Sequence, residues 1–404
     1  MDTPKLPVGE RIRYYRRKNG NRKQAAVAGL CGITERYLCD IENGRKVPSA
    51  EVLARIAAEL GVPMACLLTE EPLPDPAAPL TTAPAVVRAL MGYGPPHSSV
   101  PVSPAHLRER VEQAWRIWQS SQSRFSEAEE VLPALIGDVE HAVRSHRSGN
   151  DASARRDVLR TAADLYGLLR SYCRRTGRLD LSLMVADRAI RAAEDADDPL
   201  RIAAAQWNLG HVLLSHDQPG AVAEAGEVAA LAVEQLRQAP ATAEADALHG
   251  ALELVAVVAE ARQRNWWQAR ERLEEAAPLG ERVGDSNVAW TVFGPTNVNL
   301  HAISIEMLAG EAAEGLHVAD GVDISRLPSR ERQFTFTLDV ARCYDLRRDD
   351  AAVLVHLLSL EALSVEDFVR SPLACQMTAG LLKRVRPTYR RQVTDLAERL
   401  GLMT

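Results

Sequence analysis

The sequence predicts an all-α protein in two parts, a small helical head and a long stack of helical hairpins. Three observations carry this. Ala, Leu and Arg are abundant while aromatic residues make up only 5% of the 404 positions, a mixture that favours helix over strand. Apolar residues recur at helical spacing almost throughout. From about residue 105 onward, helix-like segments come in pairs that recur roughly every 40–45 residues, the beat of stacked helical repeats.

The head spans residues 1–68. "VGERIRYYRRKNG" reads as a first helix with Ile12 and Tyr15 inward and Arg11, Arg13, Arg16, Arg17 and Lys18 outward. "RKQAAVAGLCG" is a second helix that stops at Gly32, a position suited to the left-handed conformation. Thr34 caps a third, short helix. Pro48 and Ser49 open a fourth, with Val52, Ile56 and Leu60 in helical register, and Gly61 and Pro63 separate it from a fifth, "PMACLL".

Residues 69–104 hold nine prolines and read as a semi-extended linker, inside which "AVVRALMGYG" predicts a short helix docked on the body. The body, 105–404, has breaks at "RTGRLD", "DADDP", "SHDQPG", "RVGDSN" and "RLPSRER" among others. Repeat starts fall near Asp157, Pro199, Ala243, Asn287 and Ser329. Alanines at small positions let neighbouring helices approach closely.

Charge divides the same way. Residues 1–67 carry 12 Lys and Arg against 7 Asp and Glu, while the whole chain has a net charge of −6. A basic head on an acidic body implies that the head alone meets a polyanion. No run of eighteen apolar residues is present and the N-terminus has no apolar signal core, so a cytoplasmic, nucleoid-associated location is expected. The cysteines, Cys31, Cys39, Cys66, Cys173, Cys343 and Cys375, form no C-x-x-C pair and sit at no metal-ligand spacing with histidines. They read as reduced thiols, with a redox switch at Cys31 and Cys39 as the other reading. No G-x-S-x-G, H-E-x-x-H, P-loop or dinucleotide fingerprint appears, which argues against an enzyme and against a metal or cofactor.

Gln24, Ala28, Gly32, Leu38, Ile41, Glu42, Asn43, Gly44 and Pro48 together resemble the helix-turn-helix domain of Cro/phage-repressor type, the xenobiotic-response-element family. The likeness covers residues 9–68 and implies a five-helix, lambda-repressor-like head. Over nearly the full length the chain further resembles actinobacterial regulators that join this domain to a tetratricopeptide-like α-solenoid. "VVRALMGYGPP", "WTVFGPTNVNLHAISIEMLAGE" and "LPSRERQFTFTLDVARCY" carry that second likeness. It implies a transcription factor without fixing its signal. Lys23 stands where the family usually has Ser or Thr and Arg22 where an apolar residue is common, adding positive charge near the phosphates.

The residues agree with that implication. A helix fits the major groove. Arg36, Cys39 or Asp40, and Asn43 recur at three-to-four spacing on one face. Arg36 suits a guanine; Glu35 or Asp40 suits a cytosine amino group. Gln24, Thr34, Asn43, Arg45 and Lys46 suit phosphates, and Tyr37 either packs or touches DNA. Glu42 reads as structural. A homodimer on a roughly palindromic operator is expected. In the body, Asn208 and His211, three apart, and Asn297 and His301, four apart, are candidate readers of an extended peptide or small amide, with Trp207, Trp290 and Phe293 as aromatic walls; each of these also suits plain packing. The rival reading is a scaffold whose head contacts protein, which the acids Glu35, Asp40 and Glu42 favour.

Overall fold

The structure, a computed structural model, describes residues 7–18, 22–60, 62, 64–68, 82–93, 102–147, 151–216 and 218–402. The chain divides into two units, residues 1–79 and 80–403. Among the described residues there is no strand; Ser286 and Phe293 form an isolated antiparallel bridge. Most of the Pro-rich linker, including Gly94 to Pro101, lies outside the described residues, as do Gly61 and Pro63.

The head is five helices: α1 (Val8–Lys18), α2 (Gln24–Leu30), α3 (Glu35–Glu42), α4 (Ala50–Leu60) and α5 (Met64–Leu68). Ile12, Val27, Leu38, Ile41, Ile56 and Leu67 share its core. Gly32 takes φ +64° at the turn from α2 to α3, and Thr34 Oγ1 accepts from Tyr37 N at 3.2 Å to start α3. Gly9 lets α1 lie against α3, since a Cβ there would fall 2.0 Å from the Ile41 carbonyl oxygen. One expectation is corrected. Arg11 and Arg16 do not face outward; they are 6% and 7% exposed, because Arg16 answers a buried carboxylate on α3.

The body begins with α6 (Pro84–Leu90), whose Val86 and Leu90 enter the first core of the repeat stack. Tyr172 Oη accepts from Ala83 N just before it, at 3.1 Å. Antiparallel pairs follow: α7 (Pro104–Ser120) with α8 (Arg124–His146), α9 (Ala152–Arg175) with α10 (Leu179–Asp195), and α11 (Pro199–Leu213) with α12 (Ala221–Leu236). Then come α13 (Ala243–Arg262) with α14 (Trp266–Val283), α15 (Pro295–Ala309) with α16 (Ala312–Asp320), and α17 (Arg330–Leu346) with α18 (Asp350–Leu363). The short α19 (Val365–Val369), α20 (Pro372–Arg384) and α21 (Pro387–Arg399) close the chain. The repeat expected near Asn287 starts instead at Pro295. The intervening loop is held by Asp285, whose carboxylate accepts from Thr296 N at 3.0 Å and Thr296 Oγ1 at 2.6 Å, so Asp285 and not Thr296 caps α15. Ala289, Trp290 and Val292 in this loop all have positive φ, which costs L-residues on the order of 1–3 kcal/mol each. Trp290 is pinned by stacking on Trp115, 5.3 Å between centroids.

The start of α8 is also joined to α17 and α19. Arg124, fully buried at the start of α8, donates to Asp367 and to Glu331 (Nη1 to Oε2, 3.1 Å) and lies over the Trp118 ring. Glu366 accepts from Phe125 N at 2.8 Å, and Ser364 Oγ donates to the Gln122 carbonyl at 2.9 Å.

The loop before α15 packs closely on α13 at Gly250, where a Cβ would meet Phe293 Cζ at 1.9 Å. Phe293 is 1% exposed and has no room to retreat. Gly250→Ala is expected to destabilise the body by about 1–3 kcal/mol through overpacking. Calorimetry checks this, and Phe293→Leu added to Gly250→Ala should recover part of the loss.

Candidate nucleic-acid interface and effector cavity

Glu42, the last residue of α3, has no solvent exposure. Arg16 donates to both of its oxygens, at 2.7 and 2.8 Å, and Gln24 Nε2 donates at 2.7 Å. Arg13 adds Nε to Glu42 Oε2 at 3.4 Å and Nη2 to the Glu42 carbonyl at 3.2 Å. Arg16 Nη1 also donates to the Arg22 carbonyl at 2.6 Å. One carboxylate therefore ties α3 to α1 and to the start of α2. Burial pushes the Glu42 carboxyl up, but the hydrogen bonds from Arg16 and then Gln24 outweigh it and hold it below its ordinary value.

This knot fixes α3 from behind and leaves its front free. Glu35 and Arg36 are exposed at its N-terminal end, and Lys23, Asn43, Arg45 and Lys46 are exposed around it. Asp40 is half-buried. Its carboxylate lies 4.0 Å from Arg45 and 3.8 Å from Lys46, and its carbonyl accepts from both backbone amides, so the two cations after the Asn-Gly turn are placed by α3 itself. Tyr37 packs against the head core with Lys46 Nζ 5.3 Å above its ring. Asn43 caps the C-terminal end of α3; its side-chain oxygen accepts from Arg13. Two more residues from the sequence set are engaged inside the domain. Arg22 pairs with the Glu59 carboxylate and donates to its carbonyl at 2.9 Å, and Gln24 is held by Glu42. The sequence reading missed Arg13 and Arg16 as the partners of Glu42. Their three-residue spacing on α1 was the available signal.

The body contains a cavity of about 750 Å³. His211 on α11 and His301 on α15 both line it. His211 meets the Trp207 ring edge-on, and His301 Nδ1 is 2.8 Å from the Asn297 carbonyl. Burial, aided by nearby arginines, drives the His211 imidazole far below its ordinary value; burial and then Arg332 bring His301 down to about 4. The other candidates lie elsewhere. Asn208 is buried and accepts from Arg170, Trp290 stacks on Trp115, and Phe293 fills the space at Gly250. Asn297 is buried with its side-chain oxygen unpartnered, outside the cavity lining. Residues that the sequence reading missed complete the cavity: Trp266, Ser304, Arg332, Thr335, Asp339 and Arg342. Residues 332, 335, 339 and 342 share one face of α17, a polar helical register that was visible in the sequence.

Among the described residues, no group of His, Cys, Asp and Glu suits a metal, and no helix is long and apolar enough to cross a membrane. Cys31, Cys173 and Cys343 are buried free thiols and Cys39 and Cys375 half-buried ones; the Cys66 side chain is outside the described residues.

Residues 12–65 match the helix-turn-helix family. The ImmF control region 10 kDa protein of Bacillus phage phi105 is 48% identical over 42 residues, which is 10% of this chain and 47% of that protein. The match thus spans about half the length of that relative. Two solved structures are similar along most of both chains: Bacillus thuringiensis PlcR in complex with the peptide PapR7 and DNA, and ComR from S. thermophilus in its apo form. The first is 13% identical, covers 88% of this chain and 98% of its own, and has a TM-score of 0.29. The second is 12% identical, covers 94% and 99%, and has a TM-score of 0.35. The N-terminal unit thus carries a helix-turn-helix domain, and the body is a stack of paired helices.

Proposed function

We propose that this chain is a sequence-specific DNA-binding transcriptional regulator and not an enzyme. Residues 1–68 bind the operator, 69–104 link, and 105–404 dimerise and sense a small molecule, peptide or partner protein. The observation that carries the reading is the mounting of α3. Its rear is locked by Glu42, and its front offers Arg36, which has no side-chain partner among the described residues. Arg36 reads a guanine, worth about 1–3 kcal/mol of discrimination. Glu35 or Asp40 accepts from a cytosine amino group, and Lys23, Thr34, Asn43, Arg45 and Lys46 hold phosphates. Two heads in a homodimer meet a roughly palindromic operator in the nucleoid. The effector acts by binding the body more tightly in one arrangement of the dimer than in another.

The test is selection of bound fragments from genomic DNA by wild type and by Arg36→Ala. Wild type is expected to enrich one two-fold motif, and Arg36→Ala to lose about tenfold or more at one guanine, 1.4 kcal/mol being tenfold. The mixed charge of the α3 face, with Glu35 exposed beside Arg36, favours one second reading, a scaffold whose head binds protein. No enriched motif, with duplex binding indifferent to salt, would select the scaffold, because phosphate neutralisation makes DNA binding fall steeply with salt.

A further inference from the structure

The cavity in the body is lined by four arginines and one carboxylate, and it accounts for only some of those charges internally. Arg342 pairs with Asp339 at 3.5 Å, and Asp339 also accepts from Ser304. Arg262 donates to the Leu214 carbonyl, and Arg264 is exposed at the edge. Arg332 is different. It is half-buried on α17, and among the described residues its guanidinium makes no hydrogen bond or ion pair, although Glu331 acts on it electrostatically. The neighbouring Glu331 is already occupied by Arg124, Arg174 and Arg175. Two more cations behind the cavity are incompletely satisfied: Arg170, 3% exposed, and Arg174 each have a buried Nε without an acceptor. Arg170, Arg174 and Arg332 all act electrostatically on His211 in the cavity wall. Both wall histidines are neutral near pH 7 and contribute hydrogen-bonding groups rather than charge. Apart from Thr335 and Ser304 the remaining wall is apolar, with Val258, Leu300, Ile305, Leu308 and Trp266.

A cation held partly out of water without a direct counter-ion is destabilising. A planar guanidinium matches a carboxylate through two parallel hydrogen bonds. We infer that this cavity takes a carboxylate carried on an apolar body, with Arg332 as its counter-ion and the Trp266–Leu300–Ile305 wall against its apolar part. The inference rests on the reading of the body as a sensor and narrows its ligand to an anion. The carboxylate comes either from a free aliphatic acid or from the C-terminus of a short apolar peptide.

Four probes separate these sources from each other and from neutral ligands: octanoate, octanamide, trileucine and trileucine amide, each titrated into the full chain by calorimetry. At least one acid is expected to bind below about 1 mM, with its amide tenfold or more weaker. Arg332→Gln is expected to reduce the acid to the level of its amide. The same substitution is expected to raise the Tm of the ligand-free protein by about 2 °C, because it removes an uncompensated charge. Binding by octanoate alone points to a free acid, and binding by trileucine alone to a peptide end. Equal binding of acid and amide, or acid binding unchanged by Arg332→Gln, overturns the inference while leaving a sensing body in place. Binding by neither acid, or a lower Tm for ligand-free Arg332→Gln, overturns it as well. Fragment selection by the head is a separate readout, so failure of the regulator reading appears there and not in these titrations.

Discussion

Glu42→Ala is expected to destabilise the head by about 3–5 kcal/mol and to abolish operator selection although Glu42 touches no DNA. The carboxylate is fully buried and receives Arg16, Gln24 and Arg13. Removing it strands the Arg16 guanidinium, itself 7% exposed, without a counter-ion and frees α3 from α1 and α2. For a domain of this size each kcal/mol shifts Tm by about 4–8 °C, so calorimetry should show the head transition lost or merged with the baseline. The pH dependence follows from the direction of the Glu42 shift. Its carboxyl is lower in the folded head than in the unfolded chain, so its contribution is complete above the ordinary glutamate value of about 4.3 and is lost as pH falls through the folded value. Glu42→Gln removes this acid-limb contribution, so its head stability should change less than wild type across that window. An acid limb identical to wild type in Glu42→Gln would mean the carboxylate is not the group that matters.

Arg124→Met should be nearly as costly, at about 3–5 kcal/mol, but in the body. Arg124 is fully buried between Trp118, Asp367 and Glu331. Methionine preserves much of the volume and leaves Asp367 buried without its cation. Glu331 suffers less, because Arg174 and Arg175 remain on it. The double variant Arg124→Met, Asp367→Asn is the informative comparison. If the loss comes from a stranded charge, the second substitution restores most of it; if it comes from packing around Trp118, the two losses add. DNA selection by the head is expected to survive both variants.

The head was readable in the sequence because its signals are local. The Gly32 turn, the Thr34 cap and the apolar spacing of Leu38 and Ile41 lie within ten residues of one another, and the structure has each in that role. Glu42 was readable as structural, but the spacing of Arg13 and Arg16 did not by itself name them as its partners. Arg16 lies 26 residues away on a helix whose cations all looked solvated, and only the crossing of α1 over α3 selects it. The body was readable as paired helices and no further. His211 and His301 do meet one cavity, yet Trp290 and Phe293 turn to other surfaces. Which side of a repeat becomes concave depends on how successive hairpins rotate. Close approaches between distant segments, such as Gly210 to Val255 and Gly250 to Phe293, belong to that arrangement and are not written in any one segment's pattern.

The join between the start of α8 and residues 363–367 also bears on how the protein is made. Phe125 and Ser126 obtain the carboxylate that caps their amides only from Glu366, and Arg124 obtains Asp367 only then as well. During synthesis the first hairpin must wait while the ribosome adds the intervening 240-odd residues, on the order of tens of seconds at about 5–20 residues per second. Throughout that interval the first two amides of α8 lack their Glu366 cap and the Arg124 guanidinium lacks Asp367, although Trp118 and Phe125 already have Tyr172 to pack on. A stop codon shortly before residue 363 therefore leaves a product whose first hairpin packs on the second but whose α8 start has lost its carboxylate cap and whose buried Arg124 has lost Asp367.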